Sequence, residues 1–584
     1  MTRIVWTRTC AIVALALALS WGSSFAPLAT AQQPAPDPRV LAYADLIIHN
    51  GRVLTMDAAS SVAQAVAVRG NRILAIGGNG DMLSLAGPRT RIIDAQSRSV
   101  IPGLIDTHTH LHEYAMGHWA PEMAPHLAPH RLQGSTPDEL IARLGTLLDR
   151  IPDGEWVLAG VRPREVADEL VLTKTRFDLD AVSPRHPVLL RVTDTKNLVN
   201  SLAIAALLQR YPEQQLELKR DAAGVITGET GSGVSLIFDE ELLPKQRPEV
   251  VGPIFARELA EYGAAGVTTW SSSIASEAIT AFNWLDRRGE MPIRLGYTHE
   301  SSIRDNPAGV GYAARMGVST GNGSEFLWFI GVSSGSTDSS YPGICSTIDA
   351  PPEIKAREDC RLLPGNTRWR AGYEAIMQGH RNSGTHSAGD YTTDMLLDTI
   401  EQASLEAGMT YEEIRAQRHA VDHCVLNPRP DQIERGVRLG IYWSCGPKYM
   451  ERAPRYAADY GAEYVHERTL PVGGILRAGG KVVWETDDHE HGLQPFASLA
   501  VFVKRQDADG GIWGAHHAVD RMTALRMATI WAAEYLLRDD RLGSLEPGKL
   551  ADIVIVSGDF EAVPDIASLR SDLTIVNGRV IFEK

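Results

Sequence analysis

Positive charge is in short supply. Lys and Arg number 57 against 72 Asp and Glu, a formal net charge of −15. That balance argues against a nucleic-acid or anionic-membrane partner, since both are held through clustered cations. Cysteine is sparse, five in 584 residues, and no Cys-x-x-Cys occurs, so a thiolate zinc site is unsupported. Beyond the N-terminus no stretch is long and apolar enough to cross a membrane. A glycine fingerprint for a dinucleotide follows none of the strand-like runs, which disfavours a doubly wound open sheet.

The N-terminus is the exception. Arg3 and Arg8 precede the apolar run "CAIVALALALSW", and Ala29-Thr30-Ala31 offers a small-x-small cleavage site before Gln32. Residues 1–31 read as a secretory signal peptide, with an uncleaved anchor as the alternative. The mature protein is then expected in the periplasm or outside the cell, free of the membrane after cleavage. "QQPAPDP" makes residues 32–43 a proline-rich linker. In an oxidising compartment Cys345 and Cys360, flanking a loop-like stretch, can bridge or stay reduced. Cys424 and Cys445, in apolar strand-like contexts, are expected as small core residues.

Residues 44–100 carry short strand-like runs, with Gly70-Asn71 as a two-residue hairpin turn between two of them. "LIIHNGRVLT" near this end is echoed by "LTIVNGRVIF" near residue 580. The echo suggests one small β-domain built from residues 44–100 and 540–584. Between them, over 101–539, the runs "VIPGLID", "GVTTW", "RLGYTH", "FLWFIGV", "SGTHSA", "RHAVDH", "GIYWSC" and "KVVWET" alternate with helical stretches such as "TTDMLLDTIEQASLEAG". Eight strands with crossovers predict an α/β fold, a closed parallel (β/α)8 TIM-like barrel. The stretch from about 113 to 255 separates the first two of these strands and reads as a large insertion over the barrel mouth.

In such a barrel, chemistry gathers at the C-terminal ends of strands. His108 and His110 end the first run, His386 ends "SGTH", His423 ends "RHAVDH" and Asp487 ends "KVVWETD". One such histidine is ordinarily a satisfied polar residue. Five metal-competent side chains at four strand ends point to a metal site. His299 and Glu300 close "GYTHES" and are candidates for substrate contact or for structural hydrogen bonds. Trp119 and Trp156 hint at an apolar pocket.

Taken in order, "VIPGLIDTHTH", "HSAGD", "VDH", "TDD" and "LGSLEPGKLADIVIV" resemble the amidohydrolase superfamily, in particular amidohydrolase family 3 and its formamide deformylase-like metal-dependent hydrolases. The likeness runs from about residue 44 to 584. It implies the barrel above and makes the terminal β-domain, residues 44–100 and 540–584, a β-sandwich, with His108, His110, His386, His423 and Asp487 as metal ligands. His112 has no counterpart among those ligands and is expected to line the entrance. Two departures stand out. The resemblance implies a bridging lysine on the fourth strand, where Ser333 stands, and no lysine occurs between residues 291 and 349. Lys196 stands where a histidine is usual, as a substrate anchor or a solvated surface lysine.

The resulting expectation is one divalent cation per chain, zinc first, with Asp487 as proton shuttle and His423 as a ligand or an aid to the developing oxyanion. Lys196, His299 and Ser333 are the candidate substrate contacts. The reaction expected is hydrolysis of an amide-like, non-peptide C–N bond in a small molecule. A deaminase or a lactone- or ester-cleaving hydrolase is the alternative on the same site. An exported small-molecule-binding protein is the alternative of another class, and a homo-oligomer is compatible with the sequence.

Overall fold

The computed structural model describes residues 43–124, 130–193, 196–231, 234, 247–274, 276–299, 317–487 and 493–584. The leader, all but the last residue of the linker, and Glu300 lie outside the described residues. Ala44–Lys584 is one compact unit, and no described helix is long and apolar enough to cross a membrane.

All eight expected barrel strands are present. Leu104–Asp106, Val267–Ile274, Arg294–His299 and Leu327–Val332 form one four-stranded parallel sheet. His386–Gly389, Ala420–Leu426, Tyr442–Cys445 and Lys481–Trp484 form a second. Val267–Ile274, Leu327–Val332 and Ala420–Leu426 are buried at every residue, as strands covered on both faces must be. The fold is TIM-barrel-like α/β, but the expected closed barrel is not what the ladders show. Among the described residues the two sheets meet through isolated bonds rather than a ladder. Thr107 N donates to Trp484 O at one seam (3.1 Å), while Val332 N donates to Arg381 O (2.8 Å) and Ser383 N to Val332 O (3.0 Å) at the other. Each seam involves a short strand, Leu104–Asp106 or His386–Gly389, with too few residues to sustain ladders on both sides.

The two ends of the chain pair with each other. A six-stranded sheet runs in the order Arg579–Glu583, Ser571–Val576, Ile553–Val556, Ser99–Pro102, Arg52–Leu54, Val62–Ala63. It shares an apolar core with the sheet formed by Ala44–His49, Ala65–Arg69, Arg72–Gly77 and Ala86–Asp94, through Ile48, Val66, Val68, Val100, Ile553 and Ile575 among others. Gly70-Asn71 turns a hairpin, as expected. The echoed Asn-Gly pairs behave differently. Asn577 and Gly578, both left-handed (φ 55° and 73°), close a true hairpin, whereas Asn50-Gly51 carries the chain from one sheet to the other.

"VIPGLID" is two strands. Ser99–Pro102 stays in the six-stranded sheet and Leu104–Asp106 enters the barrel-like one. Between them a Cβ on Gly103 would lie 2.0 Å from Thr268 Oγ1, so glycine is what fits against that side chain. Beside this junction Arg294, fully buried, forks onto Asp552 (2.7 and 2.9 Å) and reaches Glu325 O (2.7 Å) and Asn577 Oδ1 (3.1 Å).

Between the first two barrel-like strands lies a separate five-stranded sheet: Glu229–Thr230, Lys196–Val199, Val188–Thr193, Val157–Arg162 and His130–Gln133. It has its own core around Leu140, Leu144, Val157, Leu170 and Leu190. Trp156 packs beside this sheet, and Trp119 donates its indole N–H to Glu258 (2.7 Å).

Cys345 and Cys360 are bridged, so of the two states open to this pair the structure shows the oxidised one. Cys424 and Cys445 are buried as expected, but they too form a disulfide, with Cα atoms 5.0 Å apart. The sixth and seventh strands lie side by side, His423 opposite Cys445, and this register brings the sulfurs together.

Candidate metal centre

The site begins where the first barrel-like strand stops. That strand ends at Asp106, and a helix, Leu111–His118, starts five residues later. The two-residue period therefore holds for His108 and His110 but not for His112. In place of lining an entrance, His112 is buried in the helix, its ring 6.5 Å from that of Phe255. His108 Nε2 and His110 Nε2 stand 3.3 Å apart, and Asp487 Oδ1 lies 3.8 Å from the first and 3.3 Å from the second. Asp106 ties this end of the strand to the eighth strand. Its carboxylate accepts from His108 N (3.2 Å), Thr486 N (3.0 Å) and Thr486 Oγ1 (2.5 Å). Burial pushes its pKa up to about 7.

Asp487 sits at φ 44°, a left-handed conformation that is strained for a non-glycine residue. Tyr449 donates its hydroxyl to Asp487 Oδ2 (2.5 Å), and Lys448 pairs with the same oxygen (2.7 Å). Burial opposes ionisation of Asp487, but Lys448, His423, His110 and His108 together hold the carboxyl well below its usual range. His423 is also left-handed, φ 94°. It lies inside Ala420–Leu426 rather than at its end. Its Nδ1 is 2.6 Å from Glu485 Oε1 and 3.6 Å from Asp487 Oδ2. Glu485 accepts in turn from Ser444 Oγ (2.5 Å).

His386 opens its strand, instead of closing it, in register with Asp422. Its ring centroid is 4.4 Å from that of His423, and its buried Nε2 has no hydrogen-bond partner. Asp338, 3.8 Å from that nitrogen, accepts the backbone N–H groups of Cys345, Ala388 and Gly389 (2.9–3.0 Å) and is pushed up to about 7 by burial.

The structure thus gathers His108, His110 and Asp487 as one group of donor atoms and His423, Glu485 and Asp487 as another, with His386 against the second. Two ligands of one tetrahedral zinc ion at about 2.0–2.1 Å stand about 3.3 Å apart, the separation of the two Nε2 atoms. The spacing, the orphaned His386 nitrogen and a mixed imidazole–carboxylate set all fit a divalent cation.

Of the three candidate substrate contacts, Ser333 is fully buried, its Oγ donating to Gly384 O (2.7 Å) and accepting from Gly335 N (3.0 Å). His299 packs edge-on to Tyr297 (5.4 Å) and beside Phe329 (5.5 Å), and burial lowers its pKa to about 4. Lys196 is half-buried at the start of Lys196–Val199. On the neighbouring strand the charge of Arg191 acts on Glu113. Burial opposes ionisation of Glu113, but His110 (3.2 Å), His112 and Arg191 outweigh it and hold the pKa down to about 2.

Sequence reading missed Asp422, Glu485, Lys448 and Tyr449. Asp422 Oδ2 lies 3.0 Å from His108 Nδ1, orienting that ring from a different strand. A usable signal existed for Glu485, which stands two residues before Asp487 and so on the same side of an extended chain.

A TIM-barrel-like fold whose strands and strand ends bring imidazoles and a carboxylate together is the architecture of a metal-dependent hydrolase. The chain matches the Amidohydrolase family over residues 91–324 and 377–582 and belongs to it; it is an enzyme of that family. It is 24% identical over 567 residues to the N-substituted formamide deformylase of Arthrobacter pascens, covering 92% of this chain and 98% of that one. It is 25% identical to Protein LONG AFTER FAR-RED 3 of Arabidopsis thaliana over 88% of this chain and 87% of the relative. Its fold matches that of an uncharacterized metal-dependent hydrolase from Pyrococcus horikoshii with TM-score 0.65 and 21% identity, covering 89% and 98% of the two chains.

Proposed function

We propose that this enzyme hydrolyses an amide-like, non-peptide C–N bond of a small molecule, using one divalent cation, zinc first, held by His108, His110, His386, His423 and Asp487. The observation that carries this reading is the 3.3 Å approach of His108 Nε2 and His110 Nε2 beside Asp487 Oδ1. The formamide named for the Arthrobacter relative favours an amide-like substrate.

Such a cation lowers the pKa of a water in the site from about 15.7 toward 7 and polarises a carbonyl. The chain's own groups do the rest. Asp422 fixes the His108 ring through Nδ1, leaving Nε2 as donor. With its Nδ1–H given to Glu485, His423 likewise keeps the Nε2 lone pair. Asp487, ionised beside Lys448, takes the water's proton and returns it to the leaving nitrogen. Tyr449 and Lys448 hold the carboxylate in its left-handed turn while it does so.

Two features support one cation over two. Ser333 spends its hydroxyl on Gly384 and Gly335 and offers no bridging anion. The Lys448 ammonium, 2.7 Å from Asp487 Oδ2, already supplies a positive charge on that oxygen. We also propose that the mature enzyme is exported, a reading supported by its two disulfides. The paired terminal sheets would then be its β-sandwich and the 113–255 segment an insertion.

Turnover on a panel of N-acyl and N-formyl amines, followed by Asp487→Asn, tests the reaction. The substitution keeps the shape but removes the base, so turnover should fall at least about 10²-fold. Full turnover in metal-loaded Asp487→Asn would refute the assignment.

A further inference from the structure

His423 and Cys424 are consecutive non-glycine residues at positive φ, 94° and 57°. A single residue held there is strained and persists only where its surroundings over-determine it. The ladder to Tyr442–Cys445 ends at the pair His423–Cys445. On the other side the register to His386–Gly389 slips between Ser387–His423 and Gly389–Leu426. This bulge puts the turn here but leaves the Tyr442–Cys445 side unpaired beyond His423. Where the ladder ends, the Cys424–Cys445 disulfide takes over as the link between the two strands.

The covalent link closes a circuit. His423 Nδ1 meets Glu485 Oε1 at 2.6 Å, Glu485 Oε2 accepts from Ser444 Oγ at 2.5 Å, and Ser444 is bonded to Cys445. Cys445 is bridged to Cys424, the residue after His423. Every side chain in the ring is buried. Two backbone bonds, Gly446 N to His423 O (3.2 Å) and Leu470 N to Cys424 O (3.0 Å), brace it from outside.

We propose that the Cys424–Cys445 disulfide is a positioning clasp for His423: it holds the left-handed turn that aims the imidazole at the cation. This rests on the reading of His423 as a metal ligand. Without the bridge, the His423–Cys424 turn relaxes toward ordinary strand geometry and the ring leaves its bearing, while Glu485 and Ser444 stay on their own strands. The two cysteines touch neither cation nor substrate; they act through His423.

The test compares wild-type mature protein, Cys424→Ala/Cys445→Ala and His423→Ala, each loaded with zinc or cobalt(II). Zinc release to a chromogenic chelator and the visible cobalt(II) spectrum are measured. Loss of an outer-shell support ordinarily weakens metal binding 10–100-fold. The double variant should therefore release zinc at least about tenfold faster and show altered cobalt bands, as should His423→Ala. Wild-type release and spectrum in the cysteine variant, with both changed in His423→Ala, would overturn the clasp alone. Wild-type behaviour in His423→Ala would overturn the ligand reading and the clasp with it. A second measurement does not depend on the variants folding. Active wild-type protein is denatured and alkylated without reductant, and Cys424 and Cys445 should escape labelling. Finding them alkylated would overturn the proposal.

Discussion

Arg294→Met is expected to be among the most damaging single changes outside the metal centre. The guanidinium is fully buried and makes two bonds to Asp552, one to Glu325 O and one to Asn577 Oδ1. Methionine fills similar space but leaves the Asp552 carboxylate, 5% exposed, with Asn577 N as its remaining donor (2.8 Å). Breaking a buried pair from one side costs about 3–5 kcal/mol, because a charge stays buried without its counter-charge. Adding Asp552→Asn removes that charge, so the double variant should recover part of the loss. The assay is urea unfolding of the four members of the cycle at neutral pH, read as midpoint and slope. A single-variant cost below about 1 kcal/mol, or strict additivity across the cycle, would refute the reasoning.

Three further outcomes are expected. Replacing His108 and His110 together should empty the metal site, whereas His112→Ala, altering a residue packed near Phe255, should leave it largely filled; elemental analysis of dialysed protein decides, with about one equivalent in the wild type. His419 is buried, accepts Asn382 N–H at Nδ1 (3.0 Å), and burial aided by Arg381 lowers its pKa from 6.5 to about 3. The unfolded chain therefore takes up this proton first. The stability linked to His419 is complete above pH 6.5 and is lost as pH falls toward 3, about 2 kcal/mol of it by pH 5. His419→Asn should shrink the stability difference between pH 7 and 5 by that amount, and an unchanged difference in urea midpoints would count against it. N-terminal sequencing of exported material should begin at or near Gln32, and recovery of Met1 would exclude cleavage.

Local signals in the sequence carried much of the fold. Each barrel-like strand is a short run of apolar or β-branched residues, and all eight could be read before any pairing was known. The five proposed donors, His108, His110, His386, His423 and Asp487, could be picked out for the same reason, because they adjoin such runs. What escaped reading depends on which strands are neighbours. Asp422 and His108 meet across the structure from opposite parts of the chain (3.0 Å), and nothing in the spacing announces that contact. Cys424 and Cys445 look like two small core residues until the sixth and seventh strands are laid side by side. His112 was misplaced by a change of period, since the helix from Leu111 turns it away from the direction shared by His108 and His110. Barrel closure was over-read because a count of strands says nothing about whether the shortest of them can sustain two ladders.

The six-stranded terminal sheet imposes an order of events on the growing chain. Ser99–Pro102 pairs with Ile553–Val556, with Val100 opposite Ile555. Roughly 450 residues must be made between those partners, by the long-range pairing that slows folding most. Until the later strand arrives, one edge of Ser99–Pro102 is unsatisfied, and an open apolar edge invites pairing with another chain. The same segment leads through Gly103 into Leu104–Asp106 and on to His108. The first donor of the metal centre is thus tethered to a strand that is among the last to find its partner. A nascent chain halted before residue 553 has all five metal-competent side chains yet lacks the strand that anchors the first two. His108 and His110 therefore gain the strand that anchors their segment only once residues 553–556 have been made.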